Sequence, residues 1–197
     1  MHKDSTGSRM GMWIFLFTEL ILFGGLFLLY AIYSNRYPQE FSDAAKNLSL
    51  LLGSVNTVVL LTSSLFVVLS IINLRSNSKR DALMYLIGTI VCALIFLMIK
   101  GVEWHGKFEH GLFPNSLVMQ NKPKGEMIFF SLYFLLTGLH AVHVLIGAFL
   151  LSIMAWWIHT GKLTEENDIF LENSGLYWHL VDLIWIYIFP LFYVVVP

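Results

Sequence analysis

Six ionisable side chains fall within or at the rim of apolar runs of this chain: Glu19, Glu103, His140, His143, His179 and Asp182. Asn56 joins them as a polar side chain in an apolar setting. An ionised Asp, Lys or Arg at the centre of a membrane helix costs about 2.5–3.5 kcal/mol on insertion scales, so such groups persist where they face other helices, a cavity or a partner. His179 and Asp182 lie three residues apart and share a helix face. An imidazole beside a carboxylate there can be a self-satisfying pair, a pair that orients a metal ligand, or a proton relay. His140-x-x-His143, with Glu19, Glu103, His179 and Asp182, offers nitrogen and oxygen ligands from four spans. His140 or His143 opposite His179 is an arrangement that can hold a haem. Against metal chemistry, the Glu-x-x-His pairs of di-iron bundles are missing, and seven histidines, His2, His105, His110 and His159 among them, are too few for a His-rich membrane site. No phosphate-binding loop, dinucleotide fingerprint or nucleophile elbow occurs. The chain is expected to hold no metal and to carry no catalytic residue of its own. Whether it counts as an enzyme then depends on the complex it joins.

The elements that must position these groups are set by composition. The chain has 197 residues, 57% hydrophobic and 13% charged. A soluble domain of that size could not hide so much apolar surface, so the bilayer is its solvent. A net charge of −1 gives no basic footprint for nucleic acid. The lone Cys92 allows no disulfide within the chain. Apolar runs long enough to cross a bilayer, about 17–25 residues, fall near 11–33, 49–74, 82–99, 127–158 and 173–196. The expected fold is an all-α membrane protein, a bundle of five transmembrane helices forming one domain over 1–197. The fourth run is too long for a perpendicular crossing and is expected to tilt or project. The segment Lys100–Glu126, with Pro114 and Pro123, reads as the longest surface loop. The first run exceeds a signal h-region and contains Glu19, so it reads as a permanent span. Glu19 lies about 12 Å along the helix from Gly11, at ~1.5 Å per residue, too deep for a short carboxylate to reach the headgroups.

Ser49, Asn56, Ser63 and Ser70 repeat every seven residues on the second span, with Gly53 beside them. Small and hydroxyl residues let helices approach closely in lipid, so this face reads as a packing seam before it reads as a substrate path. Thr137 with Ala141, and His140 with Val144 and Gly147, mark similar faces on the fourth span. On the fifth, Glu172, Gly175, His179 and Asp182 form one stripe. Glu103 and His140 are expected to lie close together across the third and fourth spans. An odd number of spans puts the termini on opposite sides. Lys and Arg tie at six a side when Lys100 is counted in a loop, with Lys3, Arg9, Arg75, Lys79, Arg80 and Lys162 facing Arg36, Lys46, Lys100, Lys107, Lys122 and Lys124. The dense short loop Arg75–Lys79–Arg80 favours a cytoplasmic N-terminus.

With these motifs in view, the chain resembles subunit III of the haem–copper terminal oxidases. Gly11-Met-Trp-Ile-Phe-Leu-Phe-Thr-Glu19 with Phe23-Gly24 is similar to the family segment bearing an intramembrane carboxylate. Asn56-Thr57, Glu103-Trp104, Leu136-Thr-Gly-Leu-His140-Ala-Val-His143-Val and Tyr177-Trp-His-Leu-Val-Asp-Leu-Ile-Trp185 resemble four further family segments, in the same order. The resemblance implies a noncatalytic subunit of a proton-pumping oxidase that reduces oxygen to water. Its haems and copper would sit in partner subunits. It would touch subunit I directly, with subunits II and possibly IV in the same complex. It also implies bound phospholipid, with Glu19, Trp104 and Trp178 as candidate lipid contacts. Support of the catalytic subunit and aid in proton or oxygen supply are implied with it. The implied location is the bacterial cytoplasmic membrane, N-terminus inside and C-terminus periplasmic or outside. Compared with the seven-helix form of the family, counterparts of two N-terminal helices are not seen before Gly11. The alternatives are a subunit III-like accessory protein of a nitric oxide reductase, a stand-alone metalloprotein or cytochrome using His140, His143 and His179, and a small transporter or proton channel.

Overall fold

The computed structural model describes residues 5–114, 116–164 and 168–194. Among them are seven helices: α1 Ser5–Arg36, α2 Pro38–Ala45, α3 Leu50–Arg75, α4 Lys79–Glu109, α5 Leu117–Gln120, α6 Lys124–His159 and α7 Ile169–Tyr193. Five of them, all but α2 and α5, are long and apolar enough to cross a membrane. The protein is therefore an integral membrane protein built of helices. Val195 and Val196, the end of the fifth predicted span, lie outside the described residues.

Local chemistry sets the boundaries. Ser49 caps α3 by accepting the Leu52 amide proton, and Pro38 opens α2, where its missing N–H is no loss. The turn between α3 and α4 passes through Asn77 at φ 59°, and α6 ends at Gly161 with φ 72°, left-handed conformations that Asn and Gly adopt at low cost. α6 has 36 residues, which at ~1.5 Å each outrun the ~30 Å hydrocarbon core, in line with its sequence. The third span is longer than expected. The charges at Lys100 and Glu103 ended its apolar run on paper, yet α4 continues to Glu109. Most of the predicted long loop is thus helix, and the connection proper is 110–123, interrupted by α5.

Helices α3, α4, α6 and α7 form a ring in which each packs on the next, and α1 lies outside against α6 and α7. The short α2 bridges α1 to α6, where the Glu40 carboxylate accepts the Gly125 amide proton at the start of α6. The buried positions follow a 3.5-residue period, as in helices packed in a shallow supercoil. On α3 they are Gly53, Asn56, Leu60, Ser63, Val67, Ser70 and Leu74. On α4 they are Ala82, Leu86, Thr89, Ala93, Phe96, Lys100 and Glu103. The face of α3 bearing Asn56, Ser63 and Ser70 is thus an interior seam, and Ser70 donates across it to the Ala82 carbonyl. α1 touches the ring through one stripe only, with Leu16, Phe23 and Tyr30 buried seven residues apart.

Close approach of α6 and α7 needs Gly147. A Cβ there would stand 2.7 and 2.9 Å from carbons of the Trp178 ring. Gly147→Val is expected to destabilise the protein by about 1–3 kcal/mol, the usual range for overpacking, read as a lower thermal midpoint in detergent. Gly24→Ala, with nothing within 4 Å of the added carbon, is the matched control and should leave the midpoint unchanged.

Candidate functional site

The polar interior is divided among three helix seams. The first cluster lies where α4, α6 and α7 meet. Lys100 Nζ donates to Glu103 Oε2 at 2.8 Å, to Tyr133 Oη at 3.1 Å and to Tyr193 Oη at 2.6 Å. An ammonium has three protons, and here all three are used. Tyr193 in turn donates to Glu103, with its Oη 2.7 and 2.9 Å from the two carboxylate oxygens. The side chains of Lys100 and Glu103 are only 3% and 2% exposed. The rings of Tyr133, Trp185 and Tyr193 lie 4.9, 5.0 and 5.2 Å from Nζ, adding cation–π attraction. Reading the charges as a loop missed Lys100, Tyr133 and Tyr193. The seven-residue period from Ala82 to Glu103 was the signal, because it places both charges on the buried face.

The second cluster joins α1 to α6. His143 Nε2 lies 3.0 Å from Glu19 Oε2, and its Nδ1 donates to the Leu139 carbonyl at 2.7 Å. The two side chains are 11% and 14% exposed. Tyr177 of α7 donates to the His143 carbonyl at 3.1 Å, and the Phe23 ring meets the imidazole edge-on at 5.3 Å.

The third runs along the α3–α7 seam. Of the stripe Glu172, Gly175, His179 and Asp182, the last three face α3, whereas the Glu172 carboxylate accepts from Arg9 of α1 at 2.9 Å and also lies near α3. Arg75 lies 3.7 Å from Glu172, and Gly175 admits the side chains of Val67 and Ile71. Ser64 Oγ lies 2.6 Å from His179 Nδ1. Asp182 is 3% exposed, with Ser64 as its polar neighbour but no protein hydrogen bond of good geometry on either oxygen. On the same seam Trp178 Nε1 donates to Ser63 Oγ at 3.0 Å and Trp185 Nε1 to Thr57 Oγ1 at 3.1 Å.

His140 borders the first cluster through the Trp185 ring without bonding to it. It is wholly buried, its ring 5.4 Å from Phe96 and 5.2 Å from Trp185, and among the described residues neither ring nitrogen has a hydrogen-bond partner. Asn56, also wholly buried, likewise finds no partner for its amide among the described residues. Glu103 and His140, expected close together, make no hydrogen bond with each other: Lys100 and Tyr193 take up the carboxylate. Nor do His140, His143 and His179 converge: one faces the ring interior, one faces α1 and one faces α3. Among the described residues, no group of three or more His, Cys, Asp or Glu could hold a metal ion. Of the candidate lipid contacts, Trp178 is fully buried, sealed between Gly147 and Ser63, and does not face lipid. Trp104 is half-buried and packs on Gly138 and Phe134, and Glu19 sits at the open α1–α6 seam.

This arrangement binds helices to one another. Comparison with known proteins places the chain in a family. The family profile described as cytochrome c oxidase subunit III matches residues 2–196. A cytochrome bo(3) ubiquinol oxidase subunit 3 of Buchnera aphidicola is 31% identical over 184 residues, 93% of this chain and 91% of that protein. A cytochrome c oxidase subunit 3 of Synechocystis is 30% identical over 98% of this chain and 78% of its own length. A haem–copper oxidase subunit I+III of Aeropyrum pernix is 25% identical over 95% of this chain, which spans only 22% of that longer protein. The chain belongs to the cytochrome c oxidase subunit III family.

Proposed function

We propose that this chain is the noncatalytic third subunit of a proton-pumping haem–copper oxidase, which reduces oxygen to water at centres held by its partners. The observation that supports this most is the family match along 2–196. The Aeropyrum relative, whose name joins subunits I and III in one protein, supports direct packing on subunit I. Subunits II and IV belong to the same proposed complex. Its location is the bacterial cytoplasmic membrane, with the N-terminus inside and the C-terminus periplasmic or outside. With Lys100 withdrawn into the bundle, the charge count becomes six on the N-terminal side against five on the other, and the positive-inside rule favours the larger.

Of the buried polar residues, Glu19, Glu103, His143 and His179 fix helix partners and register, while Asn56, His140 and Asp182 lie in the same interior with no such bond among the described residues. Interhelical hydrogen bonds fix register in lipid, where apolar contact alone gives helices no drive to associate. Phospholipid fits the groove between α1 and the α6–α7 pair. That groove, about 400 Å³, is lined by Met12, Phe15, Leu150, Trp157, Phe170 and Tyr177, an apolar surface suited to an acyl chain.

Affinity purification of the tagged chain in mild detergent tests this reading. A large haem- and copper-bearing subunit should accompany it, and the chain separated from that subunit should carry neither metal. Stoichiometric iron or copper on the separated chain, or a haem spectrum from it, would overturn the proposal.

A further inference from the structure

We infer that the centre of the helix ring holds a buried water molecule, hydrogen-bonded to Asn56 of α3 on one side and to His140 of α6 on the other. The register of α3 on α4 brings these two residues to one layer. Ser70 donates to the Ala82 carbonyl, and Thr89 donates to the Ser63 carbonyl. The helices run antiparallel, and the two contacts lie seven residues apart on each. One further step of seven along the same buried faces pairs Asn56 with Phe96. Phe96 meets the His140 imidazole edge-on at 5.4 Å. Trp185 of α7 closes the layer. Its ring lies 5.2 Å from His140 and 4.9 Å from Phe96, and its Nε1 donates to Thr57, the neighbour of Asn56.

Asn56 and His140 are wholly buried. Asn56 Nδ2 and Oδ1 and His140 Nδ1 and Nε2 have no hydrogen-bond partner among the described residues. Buried polar side-chain atoms nearly always have one, from protein or from ordered water. The donors nearby are already committed: the Lys100 protons to Glu103, Tyr133 and Tyr193, and the Trp185 N–H to Thr57. Asp182, whose carboxylate is likewise unpartnered, belongs to the next layer, beside Ser64. The occupant must both donate and accept, because an amide and a neutral imidazole each offer a donor and an acceptor. Water does both and carries no charge. A cation would bring charge into hydrocarbon with neither an amide nor an imidazole to neutralise it, and the Lys100 ammonium already stands 5.0 Å from the Trp185 ring. Such a water ties α3 to α6, which face each other across the ring and each pack on α4 and α7. The inference rests on these contacts and not on which oxidase the chain serves.

X-ray radiolysis of the chain, purified with the subunits that accompany it, provides the test, because hydroxyl radicals made from a bound water oxidise the side chains beside it. Phe96 should gain oxygen several-fold faster than Phe41, read by mass spectrometry of their peptides. Phe41 is equally buried, but its ring packs on those of Tyr30 and Phe129. In the double variant Asn56→Leu/His140→Leu, which removes all four polar atoms, Phe96 oxidation should fall to the Phe41 rate. The proposal fails if wild-type Phe96 is oxidised no faster than Phe41, the result expected when Asn56 and His140 bond directly to each other. It also fails if the double variant keeps the wild-type Phe96 rate. Should that variant not assemble, the wild-type comparison of Phe96 with Phe41 still decides it.

Discussion

Replacing Lys100 by methionine is expected to destabilise the protein by about 3–5 kcal/mol, the usual cost of removing one partner from a buried ion pair. Methionine matches the length of the lysine stem, so packing changes little. The loss comes from Glu103, left as a carboxylate at 2% exposure with Tyr193 as its remaining donor. Tyr133 and Tyr193 would also lose the ammonium they both accept from. Glu103→Leu alone should cost a similar amount, because it strands the ammonium. The double variant Lys100→Met/Glu103→Leu should recover most of that loss, since replacing a whole buried pair by apolar residues is often neutral or stabilising. A double-mutant cycle on thermal or denaturant unfolding in detergent gives the coupling directly. Additive losses would show that the two residues do not act as a pair.

The second large effect is expected at Trp178. Its ring lies over Gly147, and its Nε1 donates to Ser63, so one side chain links α3, α6 and α7. In soluble cores Trp→Ala costs about 3–5 kcal/mol, part of it lost transfer from water and part a cavity. Lipid removes most of the transfer part, which puts Trp178→Ala at the lower end, about 3 kcal/mol. For a chain of this length that is a fall of roughly 6–12 °C in the thermal midpoint. Trp178→Phe keeps most of the contact and loses only the hydrogen bond, about 1 kcal/mol. Equal losses from the two variants would mean that the hydrogen bond, not the packing, holds the helices.

These two positions show where sequence reading succeeds and where it stops. Trp178 lies among apolar and small residues with a helical period, so its span was plain from the chain, though its burial was not. Its ring was a candidate for lipid until Gly147 was seen to make room for it inside. Lys100 was hidden for the opposite reason. A charge at the edge of an apolar run looks like the end of a span, and only the partners on α6 and α7 make the interior the cheaper place for it. His143 and Glu19 were each legible as intramembrane ionisable groups, but they are 124 residues apart, and no local period links them.

The sequence by itself determined the solvent, the helical class, the five spans and the family, because each depends on local composition, period or motif order. It also marked most of the ionisable side chains that lie inside the bundle, Lys100 excepted, since an ionisable group in lipid has few alternatives. Tertiary structure decided who their partners are. Glu103 joins Lys100 and Tyr193, not His140. Glu19 joins His143, His179 and Asp182 face α3, and Glu172 joins Arg9 of α1 as well as Arg75 of α3. Pairing depends on which faces of distant helices meet, and that is settled by packing: by the space Gly147 and Gly175 leave, and by the seam along Asn56, Ser63 and Ser70.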